Sequence, residues 1–238
     1  MHARAPAQKK IWELIAITPL MFLVLTGAAS TAADDDARQQ VLVDRAALTL
    51  EKFLNDPEMD WLQKNLPYAK GVFIVPTLVK AGFIWGGSGG NGVLLKRDQE
   101  TNTWSQPGFY GMGSVSFGLQ IGGSVAEVVM LIMTRRGMES IYTANVKLGG
   151  NASVAAGPVG IGAEGATSIT MSADMVSFMR AKGAYAGVSL DGALIKISHN
   201  ANKAYYGRDV RPVDIFVQRT VGNPGSAKLR DILNQASR

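Results

Sequence analysis

Between residues 71 and 198 the chain is a succession of short runs rich in Val, Ile, Phe, Tyr and Trp, punctuated by glycine. Such runs read as strands. The candidates are residues 71–75, 81–85, 92–97, 109–117, 126–133, 175–179, 183–189 and 193–198. Pro76 limits the first of them, because proline has no amide to give to a ladder. Asp191-Gly192 has the composition of a hairpin turn. No helical stretches alternate with these runs, which argues against a parallel βαβ sheet. Helical periodicity lies at the two ends instead. Leu42, Ala46, Leu50 and Phe53 recur at helical spacing over residues 37–54. Asp56-Pro57 opens a second short helix with Met59, Leu62 and Leu66 on its apolar face, and Asn223-Pro224 caps a last one with Leu229, Ile232 and Leu233. The expected class is therefore α+β: a largely antiparallel, Gly-rich sheet or barrel-like core with helices at the N- and C-terminal ends.

The first 33 residues read differently. Arg4, Lys9 and Lys10 precede an apolar run over residues 14–25, and small residues follow to Ala33. This is the three-part pattern of a secretory signal peptide, with cleavage expected after Ala32 or Ala33. The run is short for a membrane span, which needs about 20 apolar residues. The expected organisation is a signal peptide over 1–33 and a single domain over 34–238. The expected location is exported, periplasmic or peripheral to the cell envelope. The whole chain carries a net charge of +5, and removal of residues 1–33 leaves a mildly basic domain. A mild positive balance permits contact with anionic surfaces without demanding it.

Residue chemistry excludes several function classes. There is no cysteine, so disulfides, thiolate metal sites and a Cys nucleophile are absent. His199 is the one histidine beyond the presumed signal, too few for a multi-histidine metal site. Residues 87–92 (Gly-Ser-Gly-Gly-Asn-Gly) match a dinucleotide-binding pattern, but the following Val-Leu-Leu-Lys-Arg reads as strand rather than helix, so the match fails on context. A Gly-rich hairpin turn is the preferred reading, with a backbone nest for a lipid phosphate as a second one. Glu127 is unusual inside an apolar segment; an ion-paired or solvent-facing role is preferred to a buried functional carboxylate. No basic stripe or RNA-binding aromatic motif supports nucleic-acid binding. No cofactor and no enzymatic activity are expected. Basic residues cluster at Lys96-Arg97, at Arg135-Arg136, and at Arg180 with Lys182.

Several motifs in order resemble the SYLF family of lipid-binding domains. They are Ala69-Lys-Gly-Val-Phe-Ile-Val-Pro76, the Gly-rich stretch 80–93, Trp104-Ser-Gln-Pro107, residues 116–122, 147–160 and 182–192, and Asn202 with Tyr205-Tyr206-Gly207. The resemblance covers roughly residues 38–235. It implies a non-enzymatic lipid-binding protein, here an exported bacterial member whose partners are anionic phospholipids or a membrane surface, with a protein partner unknown. The candidate lipid-binding residues are Lys70, Lys80, Lys96, Arg97, Arg180 and Lys182. The alternatives are an integral outer-membrane β-barrel and an envelope scaffold without lipid affinity.

Overall fold

The computed structural model describes residues 27–82, 85–117, 122–160, 170, 172–188 and 190–238. The chain divides into two units, Met1–Asp34 and Asp35–Arg238. Of the first, only helical residues 27–34 are described, so most of the presumed signal peptide lies outside the described residues. The second unit holds the sheet.

Helix α1 (Gly27–Leu54) is followed by a short 3-10 turn (Pro57–Met59) and α2 (Asp60–Asn65). Asp56 accepts the Glu58 amide at the start of that turn, as its place before Pro57 implies. Strands β1 (Gly71–Gly82), β2 (Trp85–Lys96), β3 (Gly108–Phe117) and β4 (Gly122–Ile132) come next, then α3 (Arg135–Thr143). The remaining strands are β5 (Val146–Lys147), β6 (Val154–Ala156), β7 (Met175–Ala181), β8 (Ala184–Gly187) and β9 (Leu194–Ile197). Helices α4 (His199–Tyr206), α5 (Pro212–Phe216) and α6 (Ala227–Ala236) close the chain. The α+β class holds: among the described residues nine strands form one curled half-barrel sheet in the order β5-β9-β3-β2-β1-β4-β7-β6, with β8 beside β7. The β6–β7 pair is parallel and all the others are antiparallel.

Three local expectations need correction. First, β1 does not stop at Pro76. The register on both sides of β1 shifts there, between Ile74 and Thr77 toward β2 and between Val75 and Leu78 toward β4. A bulge absorbs the residue that cannot donate, and the strand runs on to Gly82. The run at 81–85 is accordingly the end of one strand and the start of the next. Second, residues 87–92 are not a turn. They lie inside β2, paired with β1 on one side and β3 on the other, so their amides serve the ladder rather than a phosphate nest. Third, Asp191-Gly192 turns the chain but does not join a hairpin, because β8 pairs with β7 while β9 pairs with β3 and β5. A tight hairpin among the described residues is β7–β8, whose two-residue turn Lys182-Gly183 has positive φ at both positions (51° and 83°).

Side-chain alternation builds a core on each face of the sheet. Val72, Ile74, Val93, Leu95, Val129 and Leu131 pack on one face with Leu50 and Phe53 of α1, Leu62 and Leu229. Phe73, Val75, Leu94, Val128, Met130 and Tyr110 pack on the other with Met138 and Ile141 of α3 and Phe216 of α5. Two family-like motifs act as fasteners. Buried Asn202 accepts the Phe109 amide (3.0 Å) and donates to the Phe109 and Ser198 carbonyls, so one side chain completes the edge of β3. Trp104 donates its indole N–H to Ser237 Oγ (3.1 Å), and Gln106 Oε1 accepts from Ser226, which together tie the last helix to the β2–β3 connection.

Candidate functional site

Three of the six proposed cations meet in one cleft of about 400 Å³ at the packed end of the sheet. Lys70 precedes β1, and Lys96 and Arg97 end β2; the Arg97 amide donates to the Lys70 carbonyl, which sets the three side by side. Folding adds two more cations from distant sequence, Arg135 at the start of α3 and Arg219 after α5. The cleft holds these five cations against Asp98, Glu100 and Glu139. Asp98 is already engaged: it accepts the Glu100 and Thr101 amides and pairs with Arg219 at 2.9 Å. Arg97 reaches Ser237 O (3.1 Å) and Asn102 Oδ1 (3.3 Å), while its buried Nε has no hydrogen-bond partner among the described residues. The Lys96 ammonium stands 5.6 Å from the centre of the Tyr142 ring. Burial, and after it the charge of Arg219, push the Lys96 pKa below its ordinary value. Both causes make the unliganded cation less stable, and an incoming anion would relieve the second directly. Such a cleft can hold phosphate-like anions by charge-assisted hydrogen bonds.

The other three candidates lie elsewhere. Arg180 on β7 pairs with Glu127 at 3.0 Å, and the same carboxylate takes Lys52 of α1 at 2.6 Å and the Thr49 hydroxyl at 3.2 Å. Burial alone would raise the Glu127 pKa; the bonds from Lys52, Arg180 and Thr49 outweigh it and hold the carboxyl below its ordinary value. Glu127 is thus the ion-paired group the sequence favoured, joining α1 to β4 and β7. Arg180 is committed to it and also sits 5.6 Å from the Tyr185 ring centre. Lys80 on β1 donates to Met179 Sδ (3.2 Å). Lys182 is exposed at the β7–β8 turn.

Asp174 and Asp214 hold structure. Asp174, almost fully buried, accepts Arg136 twice (3.1 and 2.7 Å), the Thr134 hydroxyl, and the Ser153 amide (3.0 Å) and hydroxyl (2.9 Å). Burial would raise its pKa, but Arg136, Thr134 and Ser153 outweigh it and hold the carboxyl far below the usual range. Asp214 accepts the Arg211 amide (2.9 Å) at the start of α5. His199 is exposed at the start of α4. Among the described residues no group of three His, Asp or Glu side chains could hold a metal, and no helix is long and apolar enough to cross a membrane.

The missed cations differ in how they were hidden. Arg135 belongs to a basic pair visible in the sequence, but its neighbour Arg136 goes to Asp174, and helix geometry alone separates the two. Arg219 has no local signal; it reaches the cleft only because α5 packs under α3 through Phe216 and Tyr142.

The family model "Ysc84: Las17-binding protein actin regulator" matches residues 113–236. SH3 domain-containing YSC84-like protein 1 of Rattus norvegicus is 32% identical over 197 residues, covering 80% of this chain and 57% of that protein. The Homo sapiens protein of the same name is 31% identical over 196 residues, covering 80% and 57%. LAS seventeen-binding protein 3 of Saccharomyces cerevisiae is 36% identical over 171 residues, covering 68% of this chain and 37% of that protein. The chain thus spans about half the length of the curated relatives it matches, or less. The half-barrel fold, the Asn202 and Trp104 fasteners and these matches lead to one assignment: the chain belongs to the Ysc84, or SYLF, family.

Proposed function

We propose that this protein is a non-enzymatic lipid-binding protein of the bacterial envelope that contacts anionic phospholipid headgroups. The observation that carries the reading is the cleft in which Lys70, Lys96, Arg97, Arg135 and Arg219 converge while the Lys96 charge is destabilised by burial and by Arg219. The outer face of α1 adds a second surface: exposed Arg38, Val41, Arg45 and Leu48 recur at three- and four-residue spacing, so two cations and two apolar side chains share one stripe. The signal-like N-terminus supports export, with the domain peripheral to the envelope.

The test is co-flotation of the chain with phosphatidylcholine or phosphatidylglycerol vesicles at low and high salt. Salt-sensitive flotation with the anionic vesicles alone is expected, and Lys96→Glu with Arg135→Glu should weaken it about tenfold. Unchanged flotation of the double variant overturns the cleft assignment. The names of the relatives favour one further reading, a protein partner. Absence of flotation under every condition would overturn the basic cleft as a membrane contact and favour that reading for it.

A further inference from the structure

The far end of the sheet carries glycines of two kinds. On the Phe73 face, glycine is compelled by packing. A Cβ at Gly90 would stand 2.4 Å from the Thr77 carbonyl, and one at Gly92 would stand 2.5 Å from the Ile74 carbonyl. At three positions on the α1 face no such demand exists. Among the described residues, a Cβ at Gly89 meets nothing within 4 Å, one at Gly111 meets Asn91 Oδ1 at 3.8 Å, and one at Gly113 meets Ser88 O at 3.4 Å. None of the three has a positive φ. Glycine inside a strand costs about 0.5–1 kcal/mol relative to alanine, and here neither packing nor backbone conformation returns it. What a side chain at these positions would fill is space outside the protein.

That space has a definite lining. Val125 lies opposite Val79, Val79 opposite Gly89, Gly89 opposite Gly113, Gly113 opposite Leu194, and Leu194 opposite Lys147. Directly opposed residues share a face, so these form one row across six strands. Val125 (57%), Val79 (48%) and Leu194 (41%) are three of the seven large hydrophobics that are exposed among the described residues. The neighbouring row brings Asn91, Gly111 and Lys196 beside it. Over β3 the surface deepens into a cleft of about 700 Å³, floored by Gly111 and Gly113 and flanked by Leu194, Lys147 and Lys196, with no carboxylate among the described residues of its lining. Four inter-strand steps put about 19 Å between Val125 and Leu194.

We propose that this face binds one acyl chain of an anionic phospholipid. The chain lies along Val79, Gly89, Gly113 and Leu194, and the phosphate rests between Lys147 and Lys196. The inference rests on the lipid reading above but uses a different site. A narrow apolar row ending in charges of one sign matches an amphiphile whose tail and anionic head are about this far apart. An added peptide strand is disfavoured, because the backbone groups under this face are already paired in the ladder.

The experiment is calorimetric titration of the full chain with monomeric lysophosphatidylglycerol, lysophosphatidylcholine and glycerol 3-phosphate, beside the vesicle assay. Saturable binding of lysophosphatidylglycerol is expected, with none for glycerol 3-phosphate, which lacks the tail. Gly89→Leu should lower the affinity at least about tenfold with the unfolding midpoint unchanged or raised. Leu194→Asp, at an exposed position, should do the same. Lys147→Glu with Lys196→Glu should weaken lysophosphatidylglycerol while sparing lysophosphatidylcholine. Undiminished binding by both Gly89→Leu and Leu194→Asp overturns the site, as does equal affinity for the headgroup alone. A concentration-dependent dimer abolished by Gly89→Leu would also overturn it, showing a second copy as the occupant. Flotation retained without lysolipid binding rejects this groove and leaves the basic cleft; lysolipid binding without flotation does the reverse.

Discussion

The same four strands, β1 to β4, make two unlike surfaces along their length. At one end, residues 72–75, 93–95 and 128–131 are buried on both faces. At the other, beyond the Pro76 bulge, Val79, Gly89 and Val125 are exposed on one face. The bulge marks the border. It shifts the register on both sides of β1, so β1 leaves the packed core with its alternation reset while β2, β3 and β4 keep theirs. The difference shows that strand length and core size are separate properties. A strand can outrun its core when glycine and small residues let the ladder continue without cover, and the uncovered part is then free for a ligand.

The comparison can be broken by moving a side chain from one kind of glycine to the other. Gly92→Val drives Cβ into the Ile74 carbonyl and the Phe73 and Val75 side chains, and should cost about 3 kcal/mol by urea unfolding. Asp174→Ala removes the buried carboxylate that orders β7, the start of α3 and Ser153, and should cost about 2 kcal/mol. Its pH dependence has a fixed sign. The folded pKa is depressed, so the contribution is complete above the ordinary value of 3.8 and fades as pH falls from there toward the folded pKa. Acid unfolding of the wild type compared with Asp174→Ala checks this: the gap between them should narrow below about pH 4.

At the border itself the effect should be smaller. Glu127→Gln releases Lys52 and Arg180 from a partly exposed carboxylate, and should cost about 1 kcal/mol. Hydrogen exchange at the C-terminal turns of α1 should rise with it, while exchange in residues 128–132 should not. The smallest effect sharpens the contrast most. Gly89→Val, three residues from Gly92, should change stability by no more than about 0.5 kcal/mol in either direction. A large loss there would mean that the far end is packed after all.

The candidate site was partly legible for a physical reason. Lys96 and Arg97 adjoin in sequence, and Lys70 is one strand away, so hairpin pairing alone brings them together. Arg180 carried the same signal, a cation near other cations, yet its charge is absorbed by Glu127 and Lys52 competes for the same carboxylate. Residue type does not reveal which cations are already paired. The Gly-rich stretch misled for a related reason: glycine signals turns because it tolerates positive φ, but at Gly90 and Gly92 its value lies in having no Cβ next to a bulge.

By itself the sequence determined the class of the fold. Short apolar runs without alternating helices point to a largely antiparallel sheet, and the end helices follow from local caps and apolar stripes, such as Asp56-Pro57 and Asn223-Pro224. It also supplied the motifs by which the family is recognised. Tertiary structure alone decided that β1 passes through Pro76, that Arg219 joins Lys96 across a distance of more than a hundred residues, and that two glycines three positions apart in β2 have opposite duties. Those outcomes depend on which strand lies opposite and what fills the space between, and neither is encoded in a window of neighbouring residues.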